Sequence, residues 1–188
     1  MTSIRDLTHM VEVTITGHEG CSGSSVVLGD DRSLCTAMVQ IPGTAIRIST
    51  STLLEHLPRL RYLRAALSRH TSLLMRNAVI SVGCSTYHTV PQRLARWLKA
   101  HGHRSGTESF PFSVKFLAAQ VGADWKLLAD LVDGFQRLGI VKYTHNNVTI
   151  TDQDALGKQV CECYELAKKA TDEYLFALTN LTRTYGSH

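Results

Sequence analysis

The sequence predicts an α+β protein built from a partial antiparallel β-roll of jelly-roll type, a long dimerisation helix and a C-terminal winged helix-turn-helix. Three patterns carry this prediction. Short apolar segments separated by turn signals fill residues 11–50. Leucines then recur at three-, four- and seven-residue spacings. The third pattern is a helix, a helix–turn–helix and a hairpin in succession, which is the order of a winged helix. We therefore expect four parts, at residues 1–52, 53–84, 85–152 and, as a C-terminal helix, 153–188.

Composition sets the limits of this interpretation. The chain has 188 residues, of which 44% are hydrophobic and 19% charged, enough for a buried core in one domain or two small ones. The formal charge of +4 suits an anionic partner without requiring one. No window approaches the roughly 18 apolar residues of a membrane-spanning helix, and "MTSIRDLTHM" lacks the apolar core of a secretory signal. We expect a soluble cytoplasmic protein.

Residues 11–50 carry the β pattern. In "VEVTIT", Val11, Val13 and Ile15 alternate with polar residues, and "SVVL", "TAMVQI" and "AIRIS" are further strand candidates between turns. A jelly roll normally uses about eight strands to close its core. Four strands leave an apolar face, which the following helix or a partner subunit must cover.

The leucine pattern marks the central helix. Pro58 marks a joint between a short and a long helix, and arginines fall mostly between the apolar positions. This spacing suits a two-stranded contact between copies of the chain. An amphipathic helix lying on its own domain is the alternative. The predicted dimer interface consists of Leu60, Leu63, Leu67, Leu74 and Ala78.

The predicted helix-turn-helix has local start and stop signals. Ser113 is placed to cap "VKFLAAQV", Gly122 to make the turn, and Gly139 to end a second helix that begins at Asp124. The following "THNN" contains two asparagines that suit a tight hairpin turn with positive φ.

These segments resemble a known family. The stretches "CSTYHTVPQRLARWLKAHG", "FQRLGIVKY" and "CECYE", with the frame from Phe110 to Gly122, are similar to Crp/Fnr-type bacterial transcription regulators. Upstream, "GHEGCSGSSVVLG" and "VQIPGTAIRI" resemble the second half of that family's cyclic-nucleotide-binding-like roll. The resemblance covers residues 11 to about 164. It implies a homodimer joined by the central helix, with a sensor domain and a winged helix on double-stranded DNA.

The chain departs from the family pattern in three ways. The family's roll begins several strands earlier, so we expect this chain to begin inside the sensor domain. Gly23-Ser24 and Thr36-Ala37 stand where cyclic-nucleotide binders present a Gly-Glu pair and an Arg-Ser or Arg-Thr pair. Because a buried phosphate needs a cation or several N–H donors, we expect no cyclic-nucleotide binding. No N-terminal cysteine cluster offers ligands for an iron–sulfur centre. We therefore predict no cofactor.

The recognition helix lacks the usual base-reading side chains. Arg or Lys normally contacts guanine, and Asn or Gln contacts adenine, from the first turns of this helix. Here those turns offer Asp124, Trp125 and Lys126. Between residues 85 and 152, eight lysines and arginines face five carboxylates, so phosphate contacts remain available. The predicted DNA-contacting residues are Ser113, Lys115, Asp124, Trp125, Lys126, His145, Asn146 and Asn147.

Two hypotheses follow. In the first, the protein is a homodimeric DNA-binding transcription regulator with atypical base contacts. In the second, it is a dimerising interaction protein that binds DNA poorly and pairs with, or titrates, a related regulator as a heterodimer.

Neither hypothesis involves catalysis or a metal. An odd number of scattered cysteines, five, argues against a disulfide framework. Cys161-x-Cys163 lacks the spacing of the usual zinc or redox motifs, and His101-x-His103 has no evident third ligand. Cys84 and His88 are expected to pack where the central helix meets the winged helix. We predict no catalytic residue, no metal site and no membrane partner.

Overall fold

The described part of the chain is mainly helical and contains one small sheet. The structure, a computed structural model, describes residues 11–185 except Asp31 and Leu34. Residues 1–10 of the predicted roll and 186–188 of the predicted last helix lie outside this description. After a 3₁₀ helix at Ser24–Leu28, the elements are α1 (Thr50–His56), α2 (Arg61–Tyr87), α3 (Val90–Ser105), β1 (Ser109–Pro111), α4 (Val114–Gln120), α5 (Trp125–Arg137), β2 (Val141–Thr144), β3 (Asn147–Ile150), α6 (Gln153–Gln159) and α7 (Cys163–Tyr185).

The main hydrophobic core lies between α3, α4, α5 and the sheet. The sheet is antiparallel with strand order β1-β3-β2, and Phe110 pairs with Val148. Leu94 and Leu98 of α3 are fully buried against these strands, together with Leu128 of α5. This core holds the helix–turn–helix and the hairpin as one unit.

Local capping explains where the helices of this unit begin and end. Thr89 and Gln92 form a capping box at the start of α3, and Gly106 ends the helix with φ of 65°. The Asp152 side chain accepts a hydrogen bond from the Ala155 backbone N–H at the start of α6. Because these capping signals involve residues close together in the chain, the helix ends can be predicted from the sequence alone.

Helix α2 packs against α7 of the same chain. Leu73 lies in a small apolar cluster with Ala170 and Tyr174 of α7. The buried positions of α2, at residues 70, 73, 77 and 84, recur at spacings of three, four and seven. One face of the central helix is therefore occupied within the chain. This is the packing that the alternative prediction for this helix described.

The single C-terminal helix predicted for residues 153–188 is wrong. The segment forms two helices, because Val160 takes an extended conformation with ψ of 140° and ends α6. Residues 160–162 make the break, and α7 begins at Cys163. The break directs α7 back along α2.

The predicted β-roll is also wrong within the described residues. Between residues 11 and 49, leaving aside positions 31 and 34, the structure has no strand. The "SVVL" segment is instead the 3₁₀ helix, bounded by Gly23 and Gly29, both with φ near +90°. Its Val26 packs on Leu53 and Leu57. A strand requires a neighbour to satisfy its backbone groups, and this region supplies none.

The "VEVTIT" segment buries its polar face rather than its apolar one. Glu12 and Thr14 are buried, while Val11, Val13 and Ile15 are half-exposed. The Trp97 indole N–H donates a hydrogen bond to Glu12 Oε2 at 2.9 Å. Burial raises the pKa of the Glu12 carboxyl, opposed by Arg96 and by this hydrogen bond. A specific polar contact thus overrides the alternation.

Trp97 is also stacked on a buried histidine. The ring centroids of Trp97 and His101 are 3.5 Å apart, and His101 Nδ1 lies 3.0 Å from the Trp97 carbonyl oxygen. Because that oxygen only accepts, Nδ1 carries the proton and donates. Burial lowers the pKa of His101 to about 3, and the charges of Arg104 and Arg96 act in the same direction.

Among the described residues, no helix combines the length and the apolar character needed to cross a membrane.

The buried histidine predicts acid sensitivity. In the unfolded chain the His101 imidazole is protonated below its ordinary pKa of about 6.5, whereas in the folded protein its pKa is about 3. Between these two pH values the unfolded state binds one more proton than the folded state. The free energy of unfolding should therefore fall by about 1.4 kcal/mol per pH unit across this window. His101→Phe keeps a ring against Trp97 and removes the titration. Urea unfolding should show a shallower pH dependence for this variant, whereas equal slopes would contradict the assignment. The opposite contribution of Glu12 is common to both proteins.

Candidate nucleic-acid interface

The turn between α4 and α5 depends on one glycine and one aspartate. Gly122 has φ of 64°, and the Ala123 N–H donates to the Ala118 carbonyl at 2.8 Å. Asp124 is the N-cap of α5, and its Oδ1 accepts from the backbone N–H groups of Lys126 and Leu127 at 2.8 and 3.3 Å. The carboxylate that the sequence offered to DNA bases is thus bonded to the helix backbone.

The outer face of the first α5 turn exposes an aromatic ring, an ammonium and a leucine. Trp125 is 49% exposed and Leu127 46% exposed. Lys126 Nζ lies 5.8 Å from the centroid of the Trp125 indole, within cation–π range. About half of the Trp125 side chain is therefore in contact with solvent, whereas a tryptophan on a helix surface often packs on a neighbouring element. This turn offers one cation and a wide flat surface.

The rest of the exposed α5 face is acidic. Asp130 and Asp133 are both exposed, and Arg137 is the only cation of the last turn. With Asp124 and Lys126, the face carries three carboxylates and two cations. Such a surface weakens any attraction to a phosphate backbone.

The predicted contacts of α4 remain exposed. Ser113 is the N-cap, and its hydroxyl accepts from the Phe116 N–H at 3.4 Å. Lys115 lies in the first turn and is exposed. Helix α4 contacts α5, and buried residues of both helices belong to the main core.

The hairpin turn is shifted by one residue from the predicted position. His145 and Asn146, not the two asparagines, have positive φ, at 46° and 61°. Thr144 pairs with Asn147 across the turn, so Asn147 begins β3. The two positive φ values make it a two-residue hairpin of the type that suits strand twist.

The wing asparagines are partly engaged in structure. Asn147 Nδ2 donates to the Ser109 hydroxyl at 2.6 Å, and the Tyr143 hydroxyl donates to Asn146 Oδ1 at 3.3 Å. The Phe112 N–H donates to the Asn146 carbonyl at 2.8 Å. Of the predicted wing contacts, His145 is exposed, whereas the side chains of Asn146 and Asn147 form the hydrogen bonds just described.

Arg93 ties this unit to α2, a role that sequence reasoning missed. Its Nη1 donates to the carbonyls of Ser85 at 2.8 Å and His88 at 3.3 Å, at the end of α2. Its Nη2 donates to the Gly122 carbonyl at 3.3 Å, in the turn before α5. The sequence marks Arg93 only as one of several charges on α3.

The predicted dimer residues lie in different environments. Leu63 and Leu67 pack toward Val26, Leu53 and Leu57 of the same chain. Leu74 and Ala78 are half-buried, and Leu60 is 44% exposed. Besides Tyr87 at its last position (83%), the most exposed large hydrophobic side chains of α2 are Met75, Val79 and Val82, at 65%, 72% and 65%. At about 100° per residue, these three lie roughly opposite the face that packs on α7.

A group of cysteines and a histidine meets at the end of α2. Cys84, His88, Cys161 and Cys163 place their ligand atoms within 4.8 Å of one another. Burial raises the pKa of the Cys163 thiol to about 12, and the neighbouring thiols add to this. In the sequence, Cys84 with His88 and Cys161 with Cys163 are two separate pairs, and neither pair alone is a complete metal-binding motif. His101 and His103 do not pair, since His101 stacks on Trp97 and His103 lies beside Tyr164.

A cavity of about 240 Å³ lies between the first described segment and helices α2, α3 and α7. Its walls carry both signs of charge, including Glu12, Glu19, Arg96, Arg104 and Lys168. Arg104 Nε lies 3.5 Å from Glu19 Oε1. The cavity lies where residues 12–19 meet the three helices.

No protein-family model and no curated protein sequence matches the chain. Solved structures of Crp/Fnr family regulators do resemble it. FixK2 from Bradyrhizobium japonicum is 14% identical with a TM-score of 0.57, over 61% of this chain and 60% of that one. Two more of the matching structures are a protein described as a putative Crp/Fnr-family transcriptional regulator from Eubacterium rectale (17%, TM-score 0.45, 58% and 49%) and a CooA variant from Carboxydothermus hydrogenoformans (12%, TM-score 0.49, 57% and 52%).

The likeness to FixK2 shows a related fold. The chain spans between half and three-fifths of the length of the three solved structures.

The capping role of Asp124 predicts a split between two substitutions. Asp124→Ala should lower the free energy of unfolding by about 0.5–2 kcal/mol, because two N–H groups of α5 lose their acceptor. Asp124→Asn should preserve most of the stability, since asparagine caps equally well. Urea denaturation of both variants would measure this. Equal losses would show that the carboxylate acts through its charge instead.

Proposed function

We propose that the protein is a DNA-binding transcription regulator of the Crp/Fnr type that acts as a homodimer, without cyclic-nucleotide binding and with atypical base contacts. The observation that carries this proposal is the α4–Gly122–α5 unit, capped by Asp124 and followed directly by the β2–β3 hairpin. This succession is that of a winged helix-turn-helix, whose second helix enters the major groove. The solved structures that resemble the chain are transcription regulators and not enzymes, which supports the same reading.

We assign one kind of DNA contact to the first turn of α5 and another to α4 and the hairpin turn. Trp125, Lys126 and Leu127 present the side chains that would meet base edges, through apolar contact and one ammonium. Lys115 and His145 would meet phosphates on either side of the groove. Apolar and phosphate contacts of this kind give weaker sequence discrimination than bidentate arginine contacts.

The absence of cyclic-nucleotide binding rests on the segment that resembles a sensor. Gly23 is the N-cap of the 3₁₀ helix with an αL conformation, and Thr36 and Ala37 are exposed. Neither position offers a carboxylate for a ribose or a guanidinium for a phosphate. We therefore propose that this segment does not bind a cyclic nucleotide.

The homodimer rests on the free face of α2. Met75, Val79 and Val82 form an exposed apolar stripe on the side opposite α7. A parallel contact between two such stripes would place two winged helices side by side, as binding to two half-sites requires.

A second function is favoured by the acidic outer face of α5. Because Asp124, Asp130 and Asp133 outnumber the cations on that face, the chain could pair through α2 and bind DNA poorly. It would then act as an interaction protein that titrates a related regulator as a heterodimer.

DNA binding should be measurable as salt-dependent association. Fluorescence anisotropy with random-sequence duplex DNA at ~50 and ~200 mM salt should show Kd rising on the order of 100-fold, if Lys115 and Lys126 of both protomers release counterions. Asp124→Asn should tighten binding severalfold, because it removes a carboxylate and keeps the cap.

The matched control is Lys126→Gln, which should weaken binding and reduce the salt slope by roughly 1 for each protomer. Absence of binding at ~50 mM salt by both the wild type and Asp124→Asn would favour the interaction protein over the regulator.

The dimer contact predicts one disruptive substitution. Val79→Arg should convert the dimer into a monomer, because it places a charge in the centre of the apolar stripe. Light scattering after size exclusion gives the mass directly. Leu138→Arg changes a leucine that is equally exposed, at 70%, but lies at the end of α5. It should leave the dimer intact. A monomeric wild type, or a dimeric Val79→Arg, would refute this contact.

A further inference from the structure

The end of α2 and the start of α7 bring together three thiols and an imidazole. Cys84 lies in the last turn of α2, and His88 is its C-cap, one helical turn further on. Cys161 lies in the break between α6 and α7, and Cys163 is the first residue of α7. All four ligand atoms lie within 4.8 Å of one another. The two pairs are 77 residues apart in sequence, so only the fold unites them.

The closest distances fit the edges of a tetrahedral site. Cys84 Sγ and Cys161 Sγ are 3.7 Å apart, and Cys163 Sγ is 3.5 Å from His88 Nδ1. With Zn–S bonds of about 2.3 Å and Zn–N bonds of about 2.0 Å, a tetrahedron has S···S and S···N edges of roughly 3.8 and 3.5 Å. Since no pair of ligand atoms is more than 4.8 Å apart, the remaining S···S and S···N distances need contractions of about 1.0 and 1.3 Å at most, within the reach of side-chain rotation.

The histidine is oriented as metal-binding histidines are. Its Nδ1 faces Cys163, and its Nε2 lies 3.1 Å from Glu162 Oε1. A carboxylate that accepts the second ring N–H fixes the tautomer and leaves the first nitrogen's lone pair for a metal. The Glu162 side chain is 72% exposed and the His88 side chain 13% exposed, so this side also opens to solvent.

The thiols are held in an apolar environment. Cys84, Cys161 and Cys163 are 0%, 4% and 5% exposed, and Ile80 packs against them. Two thiols at 3.7 Å are far from the ~2.05 Å of a disulfide. Four S and N ligands with tetrahedral spacing select Zn²⁺ over ions that prefer oxygen.

We propose that Cys84, His88, Cys161 and Cys163 form a Cys₃His site for Zn²⁺ that clamps the end of α2 to the start of α7. On binding, the three sulfurs and His88 Nδ1 donate electron pairs to the ion, and the three thiol protons pass to solvent. The site is independent of the proposed DNA binding, because its ligands lie on α2, α7 and the break before α7.

The test uses the full-length reduced protein, freed of metal by a chelator and titrated with Co²⁺ and then Zn²⁺. We expect one Co²⁺ per chain with the visible absorption of a tetrahedral thiolate complex, displaced by one Zn²⁺. Cys163→Ser should abolish this spectrum. Cys35→Ser, which changes an exposed cysteine outside the group, should leave it unchanged.

Two further variants keep the test decisive if Cys163→Ser fails to fold. His88→Gln changes the half-buried ligand at the edge, and should alter the Co²⁺ spectrum and weaken binding. Glu162→Gln keeps all four ligands, and should retain the tetrahedral spectrum while lowering affinity about 10- to 100-fold. Circular dichroism verifies the fold of each variant.

Three outcomes would overturn the proposal. They are the absence of stoichiometric binding, a Co²⁺ spectrum that survives Cys163→Ser or His88→Gln in folded protein, and a Cys84–Cys161 disulfide in the protein isolated under reducing conditions.

Discussion

The packing of α2 on α7 is the contact on which most of the molecule depends. It occupies the face of α2 that carries Leu73 and Cys84, and so leaves Met75, Val79 and Val82 exposed on the opposite face. It brings the start of α7 back to the end of α2, where the thiols meet. It also forms one wall of the cavity. A single helix pair thus determines which face of α2 stays exposed, where the three cysteines and His88 meet, and one side of the cavity.

The C-terminal unit was predictable because its signals are local. Ser113, Gly122 and Asp124 act where their residue types act in most helices, as caps and as a turn, whatever the rest of the chain does. The strand pattern of residues 11–50 was misleading for the opposite reason. Alternation describes a segment that has a neighbouring strand, and "VEVTIT" meets helices and the Trp97 indole instead. Tertiary contact then decided which face was buried.

The local elements of the candidate site were predictable from the sequence, but the hydrogen bonds of its side chains were not. The sequence predicted that α5 begins at Asp124. It could not show that the Asp124 carboxylate accepts hydrogen bonds from backbone N–H groups of the helix. Nor could it show that Asn147 is held by Ser109. The group of three cysteines and His88 could not be predicted from the sequence. Its halves are an i,i+4 pair and an i,i+2 pair, and neither pair alone has the spacing of a usual metal-binding motif. Only the break at Val160 joins them.

Arg93 gives the joint between these regions a mechanical property. Its guanidinium is planar and always charged, and it holds carbonyls of α2 and of the turn before α5 at once. A displacement of the last α2 turn therefore either carries the Gly122 turn along or breaks a charge-assisted hydrogen bond. Through this one side chain, the position of the turn before α5 is tied to the position of the last α2 turn.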